Sequence, residues 1–147
     1  MDFPIQGGCQ CEAVRYQINN APVVSYVCHC TVCQTQSGSA FGLAARFQKD
    51  DFHLTQGQLT SFDRPGSNDH KMTNSFCAIC GTRIHHVTSR FPKLISLKPG
   101  TLDDTSWLKP ELHVFTRSAQ PWVILPDDVP QFETMPADRS IFGGKTK

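Results

Sequence analysis

Three cysteines within six residues, Cys28-His29-Cys30-Thr31-Val32-Cys33, constrain this chain more than any other feature. Sulfurs this close in sequence are bridged, bound to a metal or used in chemistry. Two further pairs, Cys9-Gln10-Cys11 and Cys77-Ala78-Ile79-Cys80, bring the total to seven. An odd number cannot pair completely into disulfides, and in a reducing compartment clustered thiols read first as metal ligands or catalysts. The N-terminus, Met1-Asp2-Phe3-Pro4, has neither the basic region nor the apolar stretch of a signal peptide. No apolar run approaches the ~20 residues of a membrane span. The expected location is the cytoplasm. The net charge is +1, from 14 basic and 13 acidic residues without a basic run, so the electrostatic footprint of nucleic-acid or membrane binding is missing. At 147 residues one unit is expected, over 1–147.

The remainder reads as a β frame that holds the cysteines. Ala13 to Ile18 alternates apolar and polar residues, the period of a half-buried strand. Val23 to Val27 runs as a second strand into Cys28. Further strands are expected at 40–47, 52–55, 59–62, 71–76, 83–88, 93–98 and 112–116. Turns fall at Gly7-Gly8, Asn19–Pro22, Asp50-Asp51, Gly57 and Pro99-Gly100. Asp63 to His70 is the most polar loop, and residues 101–110 read as loop with a little strand. Beyond Pro121-Trp122, prolines at 126, 130 and 136 predict irregular chain wrapping the surface, with a frayed tail from Gly143 to Lys147. One short helix is expected. Thr31 followed by Gln34 has the form of a capping box, and Ser37-Gly38-Ser39 stops the helix. Cys33 then sits in the first turn, where the helix dipole favours a thiolate. The fold class is all-β or nearly so.

The cysteines divide naturally as four plus three. Cys77-x-x-Cys80-Gly81 has the form of a zinc knuckle and needs two more ligands, for which Cys9 and Cys11 are the obvious donors. Cys28, Cys30 and Cys33 remain. Three thiolates on one short segment hold a metal and leave a fourth position for water or substrate. So soft a site favours a substrate thiol, which loses its proton beside the metal at neutral pH. Cys30, the middle ligand, is the one expected to exchange with that thiol. Other assignments fit the same sequence: Cys9 or Cys11 completing a site around Cys28, or His29 or a distant histidine closing the trio into a second structural site. His29, between two ligands, is read as pointing away from the metal and facing solvent. His85 and His86 alternate faces, so only one can face a pocket. His53, His70 and His113 have no evident partner. Ser39 and Phe41 follow the helix closely enough to line the same pocket and are candidate substrate-binding residues. Trp122 reads as a packing anchor.

Several stretches occur together in one order: Gly7-Gly8-Cys9-Gln10-Cys11, Ala13-Val14-Arg15-Tyr16, Cys28-His29-Cys30-x-x-Cys33-Gln34, Ser37-Gly38-Ser39-Ala40-Phe41, Phe76-Cys77-x-x-Cys80-Gly81-Thr82, His113-Val114-Phe115 and Pro121-Trp122. The set resembles the glutathione-dependent formaldehyde-activating enzyme family, also called centromere protein V-like, over residues 5–132, which implies a core over that range and a tail at 133–147. The resemblance implies an all-β fold of several coiled antiparallel sheets with zinc knuckles, shared with a small Rab nucleotide-release factor. It implies two zinc ions per chain: a structural one on Cys9, Cys11, Cys77 and Cys80, and a catalytic one on Cys28, Cys30 and Cys33. It further implies a carbon–sulfur lyase run in reverse, joining glutathione and formaldehyde to give S-hydroxymethylglutathione. The expected partners are thus a small-molecule thiol and an aldehyde, with no nucleic acid or membrane, and the oligomeric state is open, a homo-oligomer included. Glu12 departs from the pattern, because the family usually has Gly after the second cysteine. The competing expectation is a non-catalytic, zinc-stabilised β scaffold for protein interaction, in which both metal sites are closed.

Overall fold

A computed structural model describes residues 2–66 and 70–143. The middle of the expected 63–70 loop and the chain after Gly143 lie outside the described residues. Two sheets organise the rest. The smaller is built from β1 (Ile5–Gly8), β2 (Arg15–Ile18) and β5 (Phe52–Gln56), in that spatial order. The larger takes β3 (Val24–Cys28), β4 (Gly42–Gln48), β6 (Leu59–Pro65), β7 (Lys71–Cys77), β8 (Arg83–Thr88), β9 (Leu94–Leu97), β10 (Leu112–Val114) and β11 (Gln131–Phe132). Its order is β11-β10-β3-β4-β9-β8-β7-β6. The helices are short, α1 (Thr31–Ser37) and α2 (Ser140–Gly143). The expected mainly-β class therefore holds. Most strands pair antiparallel, but β10 lies parallel to both β3 and β11, because long connections bring the chain back in the same direction.

Strand alternation gives the large sheet two working faces. In β4, Ala45 and Phe47 turn to one side, where they meet Tyr16 and Ile18 of the small sheet, Ile95 and Leu97 of β9, and Cys9 and Cys77. Ala44 and Arg46 turn to the other. Registers of Tyr26 with Ala44, Cys28 with Gly42, Arg46 with Ser96, and His86 with Ser96 carry that second face across four strands. A bulge between β7 and β8 near Ser75/Phe76 shifts the register. It lets Ile84 join the first core while Arg83 reaches Asn74 and Gln36 of α1.

The C-terminal segment corrects the expectation of irregular chain. Residues 131–132 add a strand, and α2 places Phe142 in the second core with Val24, Tyr26, Ala44, Leu112 and Val114. Arg46 Nη1 donates to the Phe142 carbonyl at 2.8 Å, which ties α2 to the sheet. The prolines break the segment into short pieces without preventing docking. Trp122 is not a packing anchor: it is 72% exposed, and Ile124 beside it is 92% exposed. The short segment between flanking prolines offers no core contact that would cover either.

His85 and His86 take opposite faces, as alternation requires. His85 packs edge-on against Phe52 with centroids 5.0 Å apart, and His86 is buried on the second face. Burial, then Lys49 and Arg83, holds His85 down at about 4, and burial also holds His86 well below the ordinary imidazole range. Below an unfolded-state value of about 6.5, the unfolded chain binds protons that these folded imidazoles refuse. Their contribution is therefore complete above that pH and declines as pH falls toward 4. A tenfold difference in proton affinity between the folded and unfolded chains corresponds to about 1.4 kcal/mol of stability. Replacing both histidines by Gln is therefore expected to flatten the urea-midpoint profile between about pH 7 and pH 5. An unchanged slope in the double variant would assign the acid sensitivity elsewhere.

Candidate metal centres and the adjoining cavity

The two outer cysteine pairs meet. Cys9 follows β1 and Cys77 ends β7, so the cluster of Cys9, Cys11, Cys77 and Cys80 joins the small sheet to the large one. Their sulfurs all lie within 4.8 Å of one another. Cys9 and Cys11 Sγ are 3.5 Å apart, and Cys11 and Cys77 Sγ are 3.8 Å apart. Zinc–sulfur bonds of about 2.3 Å set tetrahedral ligands roughly 3.8 Å apart, so the quartet fits that ion.

The two halves of the quartet share one device. Gly81 N–H donates to the Cys77 carbonyl at 2.9 Å, and Glu12 N–H donates to the Cys9 carbonyl at 3.0 Å. Each residue directly after a second cysteine is left-handed, Gly81 at φ 74° and Glu12 at φ 61°. The turn at Glu12 thus keeps the glycine conformation without the glycine. A left-handed L-residue costs about 1–2 kcal/mol, whereas a new glycine loosens the unfolded chain by about 0.4–1 kcal/mol. Glu12→Gly is accordingly expected to raise stability by up to about 1 kcal/mol, read as a higher denaturant midpoint; a lower midpoint would count against stored strain.

Amide and hydroxyl donors bias the four sulfurs. Val14 N–H points to Cys9 Sγ at 3.2 Å, and the Thr82 hydroxyl lies 3.2 Å from Cys80 Sγ. The Thr82 hydroxyl, then backbone N–H groups, pull Cys80 down to about 5. Cys11 rises to about 12: the Ala13 backbone bond lowers it, but Cys80, burial and the other thiols outweigh that. Sulfurs so crowded cannot all ionise without a cation among them, which is the electrostatic requirement of a metal site.

Cys28, Cys30 and Cys33 form the second cluster, again with sulfurs within 4.8 Å of one another. Cys28 ends β3, Cys30 follows one residue outside the strand, and α1 returns Cys33 to them. The helix is capped by Cys30 rather than Thr31: its Sγ accepts the Cys33 N–H at 3.3 Å, and Gly38 closes the C-terminus at φ 58°. Gln34, expected to complete a capping box, instead donates to the carbonyls of His29 and Ser118 at 2.7 and 2.8 Å. The favoured thiolate is therefore Cys30 and not Cys33. Hydrogen bonds from Cys28 and Cys33, then nearby backbone N–H groups, pull Cys30 down to about 2. Contact with Cys30 first pushes Cys28 up. The Cys28 thiol lowers Cys33, yet Cys30 and burial raise it overall. As in the quartet, full ionisation needs a cation, so the donor set fits a soft metal.

Gly42 makes the cluster compact. A Cβ there would lie 3.1 Å from Cys33 Cβ, so a larger residue would push α1 a few tenths of an ångström off β4.

His29 is fully buried, contrary to the expected solvent-facing side chain. Its Nε2 lies 3.0 Å from His113 Nδ1, its backbone N–H donates to the Val114 carbonyl at 2.9 Å, and Phe41 packs edge-on against its ring. His113 thus has a partner that its sequence context hid. The parallel pairing of β10 with β3, invisible in local sequence, produces it. Neither histidine belongs to the sulfur clusters.

The trio opens into a cavity of about 330 Å³ on the second sheet face. The quartet does not line it. Its walls include Tyr26, Phe91, Phe115 and Phe142. Ser39 and Phe41 lie outside its lining; Ser39 is exposed beyond the helix cap and Phe41 packs on His29. The side chains that sequence inspection missed are basic: Arg46, Arg64, Arg90, Lys98 and Arg139 all face the cavity, and no Asp or Glu among the described residues does. Period-two registers of Arg46 on β4 and Arg64 on β6 were the available signal, but only sheet order brings those strands around one void.

A sequence profile described as glutathione-dependent formaldehyde-activating enzyme matches residues 4–118. No curated protein sequence matches the chain. A crystal structure of a Rhodobacter sphaeroides protein superposes with a TM-score of 0.56 at 21% identity, covering 86% of this chain and 99% of the other. At that identity the likeness concerns the fold alone.

Proposed function

Because the chain belongs to the glutathione-dependent formaldehyde-activating enzyme family, we propose that it is a zinc-dependent carbon–sulfur lyase-type enzyme, forming or cleaving the adduct of an anionic thiol with formaldehyde or another small aldehyde. Glutathione is the reference thiol. The observation that carries this proposal is that Cys28, Cys30 and Cys33 border a cationic cavity, while the other four cysteines lie outside it. In this division of labour Cys9, Cys11, Cys77 and Cys80 hold the fold, and the trio holds the reactive metal. Zinc bound there would supply Lewis acidity, favouring the thiolate form of an incoming thiol and polarising a carbonyl.

This chain's own residues do the rest. Cys28 is fixed by β3, and Cys33 by α1 seated on Gly42, so the sulfurs need little rearrangement. Cys30, half-buried at the helix cap, is the ligand best placed to yield to a substrate sulfur. Lys98 and the arginines receive carboxylates, and the aromatic walls limit water at the reacting carbon. In the forward direction the carbonyl π bond opens as one carbon–sulfur bond forms, and the former carbonyl oxygen takes up one proton, equal to the one the thiol gave up. The reverse breaks that bond and returns the aldehyde. The unpaired cysteines suit a reducing compartment such as the cytoplasm.

The test is exchange spectroscopy on glutathione and formaldehyde at equilibrium. Zinc-loaded protein is expected to accelerate interconversion with S-hydroxymethylglutathione above the spontaneous rate. No acceleration with formaldehyde or any small aldehyde would leave the scaffold alternative in its place.

A further inference from the structure

The thiol that this cavity accepts, we propose, carries surplus negative charge and no ammonium group, so that an N-blocked peptide thiol or a mercapto-polycarboxylate is preferred over zwitterionic glutathione. This rests on the thiol–aldehyde function above and narrows its substrate class.

Charge balance carries the argument. The cavity lining holds five permanent or near-permanent cations, Arg46, Arg64, Arg90, Lys98 and Arg139, with no carboxylate among the described residues. Among the described residues none of the five joins an ion pair; the pairs there are Arg15–Asp103, Lys71–Asp63 and Lys109–Asp128. Apart from the sulfurs of the trio, the void offers these cations no counter-charge among the described residues, and an anionic ligand relieves their mutual repulsion. Further donor capacity is idle. Arg64 Nε is buried without a hydrogen-bond partner among the described residues.

An ammonium group meets the reverse situation. It has no Asp or Glu to pair with in the lining among the described residues. Aromatic faces could hold a cation, yet Tyr26, Phe91 and Phe142 already surround Arg46, whose guanidinium carbon lies 5.3–5.8 Å from their centroids. Glutathione brings two carboxylates and one ammonium. Its carboxylates gain from this lining, and its ammonium is repelled by it. Acetylating the amine removes the repulsion and leaves both carboxylates.

Calorimetry on zinc-loaded protein with S-methylglutathione and N-acetyl-S-methylglutathione separates these contributions, since a methylated sulfur takes no part in aldehyde chemistry. The acetylated ligand is expected to bind about ten-fold more tightly or better, equivalent to about 1.4 kcal/mol, and to weaken with added salt. Arg90 is exposed at the rim and makes no side-chain hydrogen bond among the described residues, so Arg90→Glu should fold. It supplies the missing carboxylate and is expected to erase or invert the preference. Equal or tighter binding of the zwitterion to wild type, binding of neither ligand, or an unchanged preference in Arg90→Glu would each overturn the proposal. Glutathione–formaldehyde exchange is scored separately: acceleration without the charge preference removes this inference only, and the charge preference without acceleration with any thiol removes the enzyme assignment while the anion receptor stands.

Discussion

Cys77→Ser is expected to leave the chain without a stable fold at neutral pH, where most buried substitutions cost only about 0.5–3 kcal/mol. Cys77 is buried at the end of β7, next to Cys9, and belongs to the core that unites both sheets. Structural zinc contributes apparent free energies of about 10–16 kcal/mol in small peptides, comparable with a whole domain's net stability of about 5–15 kcal/mol. The small sheet also needs this tie. Its outer strand β1 is four residues long, and β5 exposes most of its length. The measurement is metal content by native mass spectrometry beside circular dichroism and thermal melting. Wild type is expected to carry two zinc ions, and the variant to lose cooperative melting. A variant that binds one zinc fewer yet melts cooperatively within about 5 °C of wild type would show that the quartet is dispensable for folding.

Cys30→Ser should behave in the opposite way. Aldehyde–thiol exchange is expected to fall to the spontaneous rate, while melting changes by no more than about 5 °C. Serine is among the preferred N-cap residues, so the substitution keeps α1 capped where Cys30 Sγ accepts the Cys33 N–H. What it removes is the sulfur whose proton affinity the other two thiols, and then the backbone N–H groups, lower. Cys28 and Cys33 alone bind a soft metal less tightly, so the metal count should drop by one while the quartet keeps its own. Wild-type exchange rates in this variant would take the reactive metal away from the trio. Side by side, the two substitutions test the division between fold-holding and chemistry-holding sulfurs.

Much of the frame was legible locally. Val24–Cys28, Arg83–Thr88 and Lys71–Cys77 lie within a residue of the strands expected at 23–27, 83–88 and 71–76. The helix was legible from Gly38, although its cap was not: a cysteine at that position caps only because its sulfur is held by the cluster. The C-terminal segment was not legible because prolines dominate its local signal, whereas Phe142 is buried by a surface that the sheet provides. His29 and His113 stand 84 residues apart and meet through a parallel strand pair.

The sequence by itself determined the ligand chemistry. Cys-x-Cys, Cys-x-Cys-x-x-Cys and Cys-x-x-Cys-Gly keep the sulfurs within each segment close, because short spacing leaves little conformational freedom, while the tertiary structure decided that the two outer segments meet each other and not the trio. The cavity and its charge were decided by tertiary structure alone. Arg46, Arg64, Arg90, Lys98 and Arg139 are scattered along the chain in unremarkable contexts, and net charge near zero conceals them. Only the order of strands, with period-two alternation turning one face inward, gathers those cations around one void, with no Asp or Glu in its lining among the described residues.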